Sequence, residues 1–268
     1  MRSTILKALA AATVLLFVAP PVHAQVFRDW TDRGFAQINL SNQLTSADLN
    51  DSWSLTAYDE QGNVETHQRI KGGRGFDVGG GVRVWRHLGV GLGVSRFSDS
   101  SSAAIVARIP HPLIFDRPRT ATGSADTKHS ETGVHLQATW LLPLSKLPFT
   151  ARTTDRILIG AFVGPSFFKV TQTFVNAIGF SEVGAPFTSA NLGGVTTRSQ
   201  GKWATGVNVG LDISYRVTES VGAGLLLRYA GASADLNAGS GRTQSIDAGG
   251  FQIGVGARLR IKNNWRIW

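Results

Sequence analysis

The chain has 268 residues, with 31 Gly, no Cys and a formal net charge of +9 at pH 7. The absence of cysteine excludes a disulfide framework and thiol chemistry, and a mean hydropathy of -0.01 fits alternating strands better than an apolar core wrapped in a polar shell. The basic balance points to an anionic partner.

Arg2 and Lys7 precede the apolar run Ala8 to Ala19, Pro20 and Pro21 follow, and Val22-His23-Ala24 completes a small-residue site. This is the pattern of a secretory signal, residues 1–24, cleaved after Ala24; a membrane helix needs about 18 or more apolar residues and does not get them. Losing Arg2 and Lys7 takes the formal charge from +9 to +7. Residues 25–268 are then expected to form a single domain. No later run is long enough for a membrane helix, so a closed barrel is left as the means of crossing a membrane.

Residues 33 to 41 alternate Ala36, Ile38 and Leu40 against Phe35, Gln37 and Asn39. The connection 42 to 73 holds Trp53-Ser54-Leu55 and Val64 to Ile70 around Gln61-Gly62-Asn63, read as a hairpin rising above the membrane because neither half is of spanning length. Residues 74 to 85 set Phe76, Val78, Val82 and Val84 against Asp77, Gly79, Gly81 and Arg83; after Arg86-His87, residues 88 to 97 set Leu88, Val90, Leu92 and Val94 against Gly89, Gly91, Gly93 and Ser95. These two form a hairpin. Residues 130 to 141 set Thr132, Val134, Leu136, Ala138 and Trp140 against Glu131, Gly133, His135, Gln137 and Thr139, while residues 156 to 169 are apolar on both faces.

The clearest strand runs from Trp203 to Val217, with Trp203, Thr205, Val207, Val209, Leu211, Ile213 and Tyr215 on one face and Ala204, Gly206, Asn208, Gly210, Asp212 and Ser214 on the other. The distance from Trp203 to Tyr215 is roughly 40 Å at about 3.3 Å per residue. Tilted by about 45°, this becomes roughly 28 Å, the height of a lipid-facing band between aromatic girdles. Residues 219 to 231 return through Thr218-Glu219, and residues 247 to 261 set Phe251, Ile253, Val255, Leu259 and Ile261 against Gln252, Gly254, Gly256, Arg258 and Arg260. The connections 98 to 129, 170 to 201 and 232 to 246 are read as loops. Short turns lie on the periplasmic side of such barrels. The expected fold is therefore all-β: an eight-stranded antiparallel up-and-down transmembrane β-barrel with long extracellular loops.

The signal, the eight strands and segments such as Gly79-Gly80-Gly81-Val82-Arg83-Val84-Trp85 resemble the small outer-membrane β-barrel superfamily of OmpA, OmpX and OmpW, and more closely the "outer membrane protein β-barrel domain" proteins of Gram-negative bacteria, over roughly residues 33–261. The spacing of Gly256-Ala257-Arg258-Leu259-Arg260-Ile261 is similar to that family's C-terminal assembly signal, with Trp268 as an alternative aromatic end beyond Asn263-Asn264. The resemblance implies a monomer in the bacterial outer membrane, in contact with outer-membrane lipid, lipopolysaccharide and the assembly machinery, and without nucleic acid.

Alternation puts Asp77, Arg83, Glu131, His135, Asp212, Arg216, Arg228, Arg258 and Arg260 on inward faces. Eight strands enclose a lumen just wide enough for side chains to fill, so these charges are expected to bridge one another. Trp85, Trp140, Trp203, Tyr215 and Tyr229 are expected to form the aromatic girdle. Arg74, Arg96, Arg108, Arg117, Arg119 and Lys202, with Lys128 and Lys169, fall on the outer rim, where guanidinium groups suit lipopolysaccharide phosphates.

No complete G-x-G-x-x-G, H-E-x-x-H or G-x-S-x-G motif occurs. His129, Ser130, Glu131 and His135 are residue types used by some outer-membrane lipid A deacylases, yet alternation sends Ser130 to the face opposite His129, so the two cannot meet in one triad. His129 and His135 are too far apart along a strand to share a metal ion directly. Neither a metal nor a cofactor is expected. The expected function is non-enzymatic, in envelope integrity or surface and lipopolysaccharide interaction. The alternative is a narrow channel or carrier for small hydrophobic solutes, OmpW-like, with Ile109 to Phe115 at its mouth; a lipid A-modifying enzyme comes third.

Overall fold

The computed structural model describes residues 32–143, 156–239 and 241–262. The signal sequence, residues 144–155 and Trp268 lie outside these, whereas Ile261 lies within the last strand. Among the described residues ten strands form: β1 (Asp32–Gln43), β2 (Ala47–Ala57), β3 (Glu60–Ile70), β4 (Arg74–Trp85), β5 (Leu88–Ile109), β6 (Arg119–Pro143), β7 (Ile157–Glu182), β8 (Ala190–Arg216), β9 (Val221–Gly239) and β10 (Arg242–Lys262).

β1 pairs with both β4 and β10, so the order β1-β4-β5-β6-β7-β8-β9-β10 closes on itself, antiparallel throughout. The register from Gly34 passes through Val82, Val90, Ala138, Val163, Val209, Tyr229 and Phe251. It returns to β1 at Leu44, whose amide donates to the Phe251 carbonyl at 2.9 Å. The ring is thus sheared by the ten residues separating Gly34 from Leu44, and shear of this kind tilts the strands of a closed barrel. Val82, Val90, Val163, Val209, Tyr229 and Phe251 in that row are all exposed on the outside of the wall. An apolar exterior of this kind is what a bilayer covers.

The β8 register is the expected one: Val207, Val209, Leu211 and Tyr215 face out, while Asn208 and Ser214 are buried. A methyl group on Gly210 would come within 2.3 Å of the Leu227 carbonyl oxygen, so the neighbouring backbone and the Phe162 ring occupy its side-chain space. In β7, Leu158, Phe162, Ser166 and Phe168 turn inward and Val163 and Phe167 outward. Pro165 has no amide to donate, and the β6–β7 register lapses between His135↔Ser166 and Ala138↔Val163. Asn208 Nδ2 fills this interruption by donating to the carbonyls of Gly164 (3.0 Å) and Pro165 (3.2 Å).

The segments 98 to 129, 170 to 201 and 232 to 246 are not loops. The β5–β6 ladder continues to Ile109↔Arg119, β7–β8 to Glu182↔Ala190 and β9–β10 to Arg242↔Gly239. A reversal of phase explains the difference. Along β5 the exposed apolar residues Leu88, Val90, Leu92 and Val94 are even-numbered, whereas from Phe97 upward the buried ones, Ala103, Ile105, Ala107 and Ile109, are odd-numbered. Lipid outside the lower half favours apolar residues on the outer face, and water outside the upper half favours them on the inner face.

The upper half is therefore packed protein. Val64, Ala103, Ile105, Ala107, Ile109, Ala121, Val175 and Ala190 form one cluster, with Trp53 and Leu55 against it. The β2–β3 hairpin stands outside the ring, as its short halves imply: β3 pairs with β5 from Asn63↔Arg108 to His67↔Ala104. Its Leu49 packs on a second cluster containing Phe168, Val170, Phe174, Leu236 and Ile246.

Candidate functional site

Beneath these apolar clusters the lumen is filled by polar side chains that reach across the ring. Arg228 on β9 and Asp77 on β4, both fully buried, pair at 2.7 Å (Nη1 to Oδ2). Asp77 also accepts from Asn39 Nδ2 at 3.1 Å, and Asn39 Oδ1 accepts from Arg258 Nη1 at 2.6 Å. Arg258 Nε donates to Asp212 Oδ2 at 2.9 Å, and Arg260 pairs with Asp32 at 3.1 Å. His135, fully buried, bonds Ser95 (2.9 Å) and Ser166 (2.8 Å). Each expected inward charge is thus on the inner face of the wall, and four of them form two direct pairs. Arg83 and Arg216 are only half-buried, toward the end carrying the 86–87 and 218–219 turns.

Glu131 departs from the expectation that the inward charges bridge one another. Its carboxylate bonds His129 Nε2 at 2.8 Å and accepts from the Gly249 amide at 2.8 Å. Gly249 and Gly250 take φ of 89° and 116°, a region that residues with a Cβ avoid; this bend in β10 brings the amide to Glu131. His129 Nδ1 bonds Gln172, which continues through Gln68 to Ser101. A cavity of about 40 Å³ lies between Asp32, Gln137, Asp212 and Arg260 toward the short-turn end, enough for a few waters.

On the outer surface, Trp85, Trp140, Trp203 and Tyr215 are exposed at 47 to 60%. Trp140 stands opposite Leu88 beside the 86–87 turn and Trp203 opposite Lys169, which gives the wall a lower and an upper aromatic position. Tyr229 departs from the girdle: it is opposite Val209, midway between the levels of Trp203 and Tyr215. Register rather than residue type sets its height.

Arg74, Arg96, Arg108, Arg117 and Lys202 are exposed, as are Lys128 and Lys169. Arg119 is not part of this rim. It is buried, with both Nη atoms on Glu182 and with bonds to the carbonyls of Pro110 (2.6 Å) and Phe187 (3.1 Å). Tyr58 donates to the same carboxylate at 2.7 Å. Three hairpin tips, β2–β3, β5–β6 and β7–β8, are joined at this point. The Arg119 guanidinium, with help from the Tyr58 hydroxyl, holds the Glu182 carboxyl below the usual carboxylate range against the opposing effect of desolvation. No sequence motif marks the clasp, because its members are brought together only by strand extension. The segment expected to form a mouth also lies elsewhere: Ile109 is buried in the upper cluster, and Leu113, Ile114 and Phe115 stand exposed on the β5–β6 turn.

A closed eight-stranded ring, apolar outside and polar inside, with an aromatic position near each end of the apolar band, completes the observation. This is the architecture of a small outer-membrane β-barrel. No protein-family model matches the chain, and no curated protein is similar to it in sequence. Among solved structures, the chain is similar to the outer membrane protein OprG from Pseudomonas aeruginosa, with 10% identity and a TM-score of 0.44 over 88% of this chain and 99% of that one. It is also similar to Neisserial surface protein A (NspA), with 11% identity and a TM-score of 0.40 over 85% and 96%. For the E. coli Outer Membrane Protein W the values are 10% and 0.34 over 86% and 98%.

Proposed function

We propose that the protein is a closed, non-enzymatic barrel of the Gram-negative outer membrane whose rim binds lipopolysaccharide phosphates and so serves envelope integrity. One row across the wall carries this reading. Phe76, Arg96, Thr132, Lys169 and Trp203 are successive cross-strand neighbours, so two exposed cations stand two strand spacings apart, about 10 Å, on a row that climbs with the strand tilt to Trp203 at the upper aromatic position. Arg74 and Lys128 are exposed on the flanking strands. Cations at this height meet headgroup phosphates.

The test is retention of purified lipopolysaccharide by the refolded protein in detergent, with Arg96→Glu and Lys169→Glu combined. The reading expects at least tenfold weaker retention and a wild-type affinity that falls as salt rises, since exposed charges are screened over about 10 Å at 0.1 M. Unchanged retention in the double variant contradicts it.

A further inference from the structure

Leu113, Ile114 and Phe115 are 73%, 45% and 72% exposed, three adjacent apolar side chains at the end of the β5–β6 extension. They do not fold back onto the core because the turn is pinned on both sides. The Leu113 amide bonds His111 Nδ1 at 3.1 Å, the Asp116 amide bonds Glu60 Oε1 at 2.7 Å, and Arg119 is held in the three-tip clasp. Pro110, Pro112 and Pro118 interrupt the backbone donors of the same segment, so it cannot add a regular strand to a partner sheet.

Position excludes the bilayer that the barrel itself spans. Arg96 lies three strand spacings down the tilted row from Trp203, roughly 10 Å lower, and from it β5 continues thirteen residues to Ile109 without a register shift against β6. That is about 43 Å along the strand, or roughly 30 Å of height at a tilt of about 45°, of which roughly 20 Å lies above Trp203. Size argues against a protein partner. A phenylalanine offers roughly 200 Å², so three large side chains at these exposures present on the order of 400 Å², about half of the roughly 800 Å² each partner contributes to a standard protein interface. A lipid surface needs no matching relief and accepts such a prong through its apolar area alone. Nearby exposed charges are of both signs, Arg108 and Arg117 against Asp59 and Asp116, so attraction to an anionic surface is not the driving force.

We infer that this turn is a membrane-insertion tip, which seats Leu113, Ile114 and Phe115 in the interfacial layer of a second, apposed bilayer. The contact is apolar and independent of the lipopolysaccharide reading, which rests on Arg96 and Lys169.

The experiment uses the full barrel in nanodiscs, mixed with phosphatidylcholine vesicles and separated by flotation. Wild-type protein should float with the vesicles at both low and high salt. Leu113→Ser combined with Phe115→Ser should lose at least tenfold of that association, whereas Arg96→Glu with Lys169→Glu should float like wild type. Both triplet residues are exposed, so the serine variant should fold, which unchanged thermal unfolding checks. A Phe115→Trp variant should be quenched by brominated lipid in the vesicles. Flotation that survives the serine substitutions, absence of quenching, or tip-dependent self-association of nanodiscs in place of vesicle binding would each overturn the inference.

Discussion

Substituting Asp77 by Ala tests whether the lumen is held by cross-ring pairing. Arg228 and Asp77 are both fully buried, and the 2.7 Å contact is the only hydrogen bond found for the Arg228 guanidinium among the described residues; the Phe162 ring lies 5.7 Å away. Removing the carboxylate leaves a cation without its counter-charge in a low-dielectric interior, which costs about 3–5 kcal/mol, whereas replacing both partners by apolar residues is often nearly neutral. Asp77→Ala should therefore raise the unfolding equilibrium constant by roughly two to four orders of magnitude, and Asp77→Leu with Arg228→Met should reverse most of that rise. Urea unfolding in lipid vesicles, followed by tryptophan fluorescence, reads both numbers as a double-mutant cycle. A single-variant cost below about 1 kcal/mol, or a double variant as weak as the single one, would refute the argument.

Leu211→Arg places a charge on the lipid face and should cost about 2–4 kcal/mol, while Gly231→Ala, where an added methyl meets nothing closer than 3.9 Å, should cost little; refolding yield into lipid compares them. Glu182 titrates below the usual carboxylate range because Arg119 holds it ionised. Its folded pKa is depressed, so the clasp's contribution is present above the unfolded value and is lost as pH falls through the folded one. Hydrogen exchange at the β7–β8 tip should stay slow at neutral and mildly acidic pH and rise only in stronger acid, and Glu182→Gln should raise it already at neutral pH. Arg119→Ala should loosen the same tips without reducing lipopolysaccharide retention, because its side chain is buried away from the rim.

The lower barrel was legible in the sequence because its physics is one-dimensional: lipid on one face and lumen on the other produce a period of two, as in Val207, Val209 and Leu211. The extensions were not, since Phe97, Ala103 and Ile105 keep the period but reverse its phase where the outside changes from lipid to water. Inward placement of Asp77, Arg228, Asp212 and Arg258 followed from parity alone. Which carboxylate meets which arginine did not, because the partners are set by the ten-residue shear between Gly34 and Leu44, a property of ring closure. Arg119 was misplaced for a related reason: its sequence neighbours Arg117 and Pro118 are exposed, and Glu182, which buries it, belongs to another hairpin.

The Arg228–Asp77 pair, the Asn39–Arg258–Asp212 chain and the apolar clusters above them fill the lumen, and the proposed function requires that they close it to ions. Planar-bilayer recording of the refolded wild-type protein reads that closure. The closed barrel gives a baseline indistinguishable from protein-free lipid over the range of voltage the bilayer withstands. Steady ohmic conductance that scales with inserted protein would contradict it.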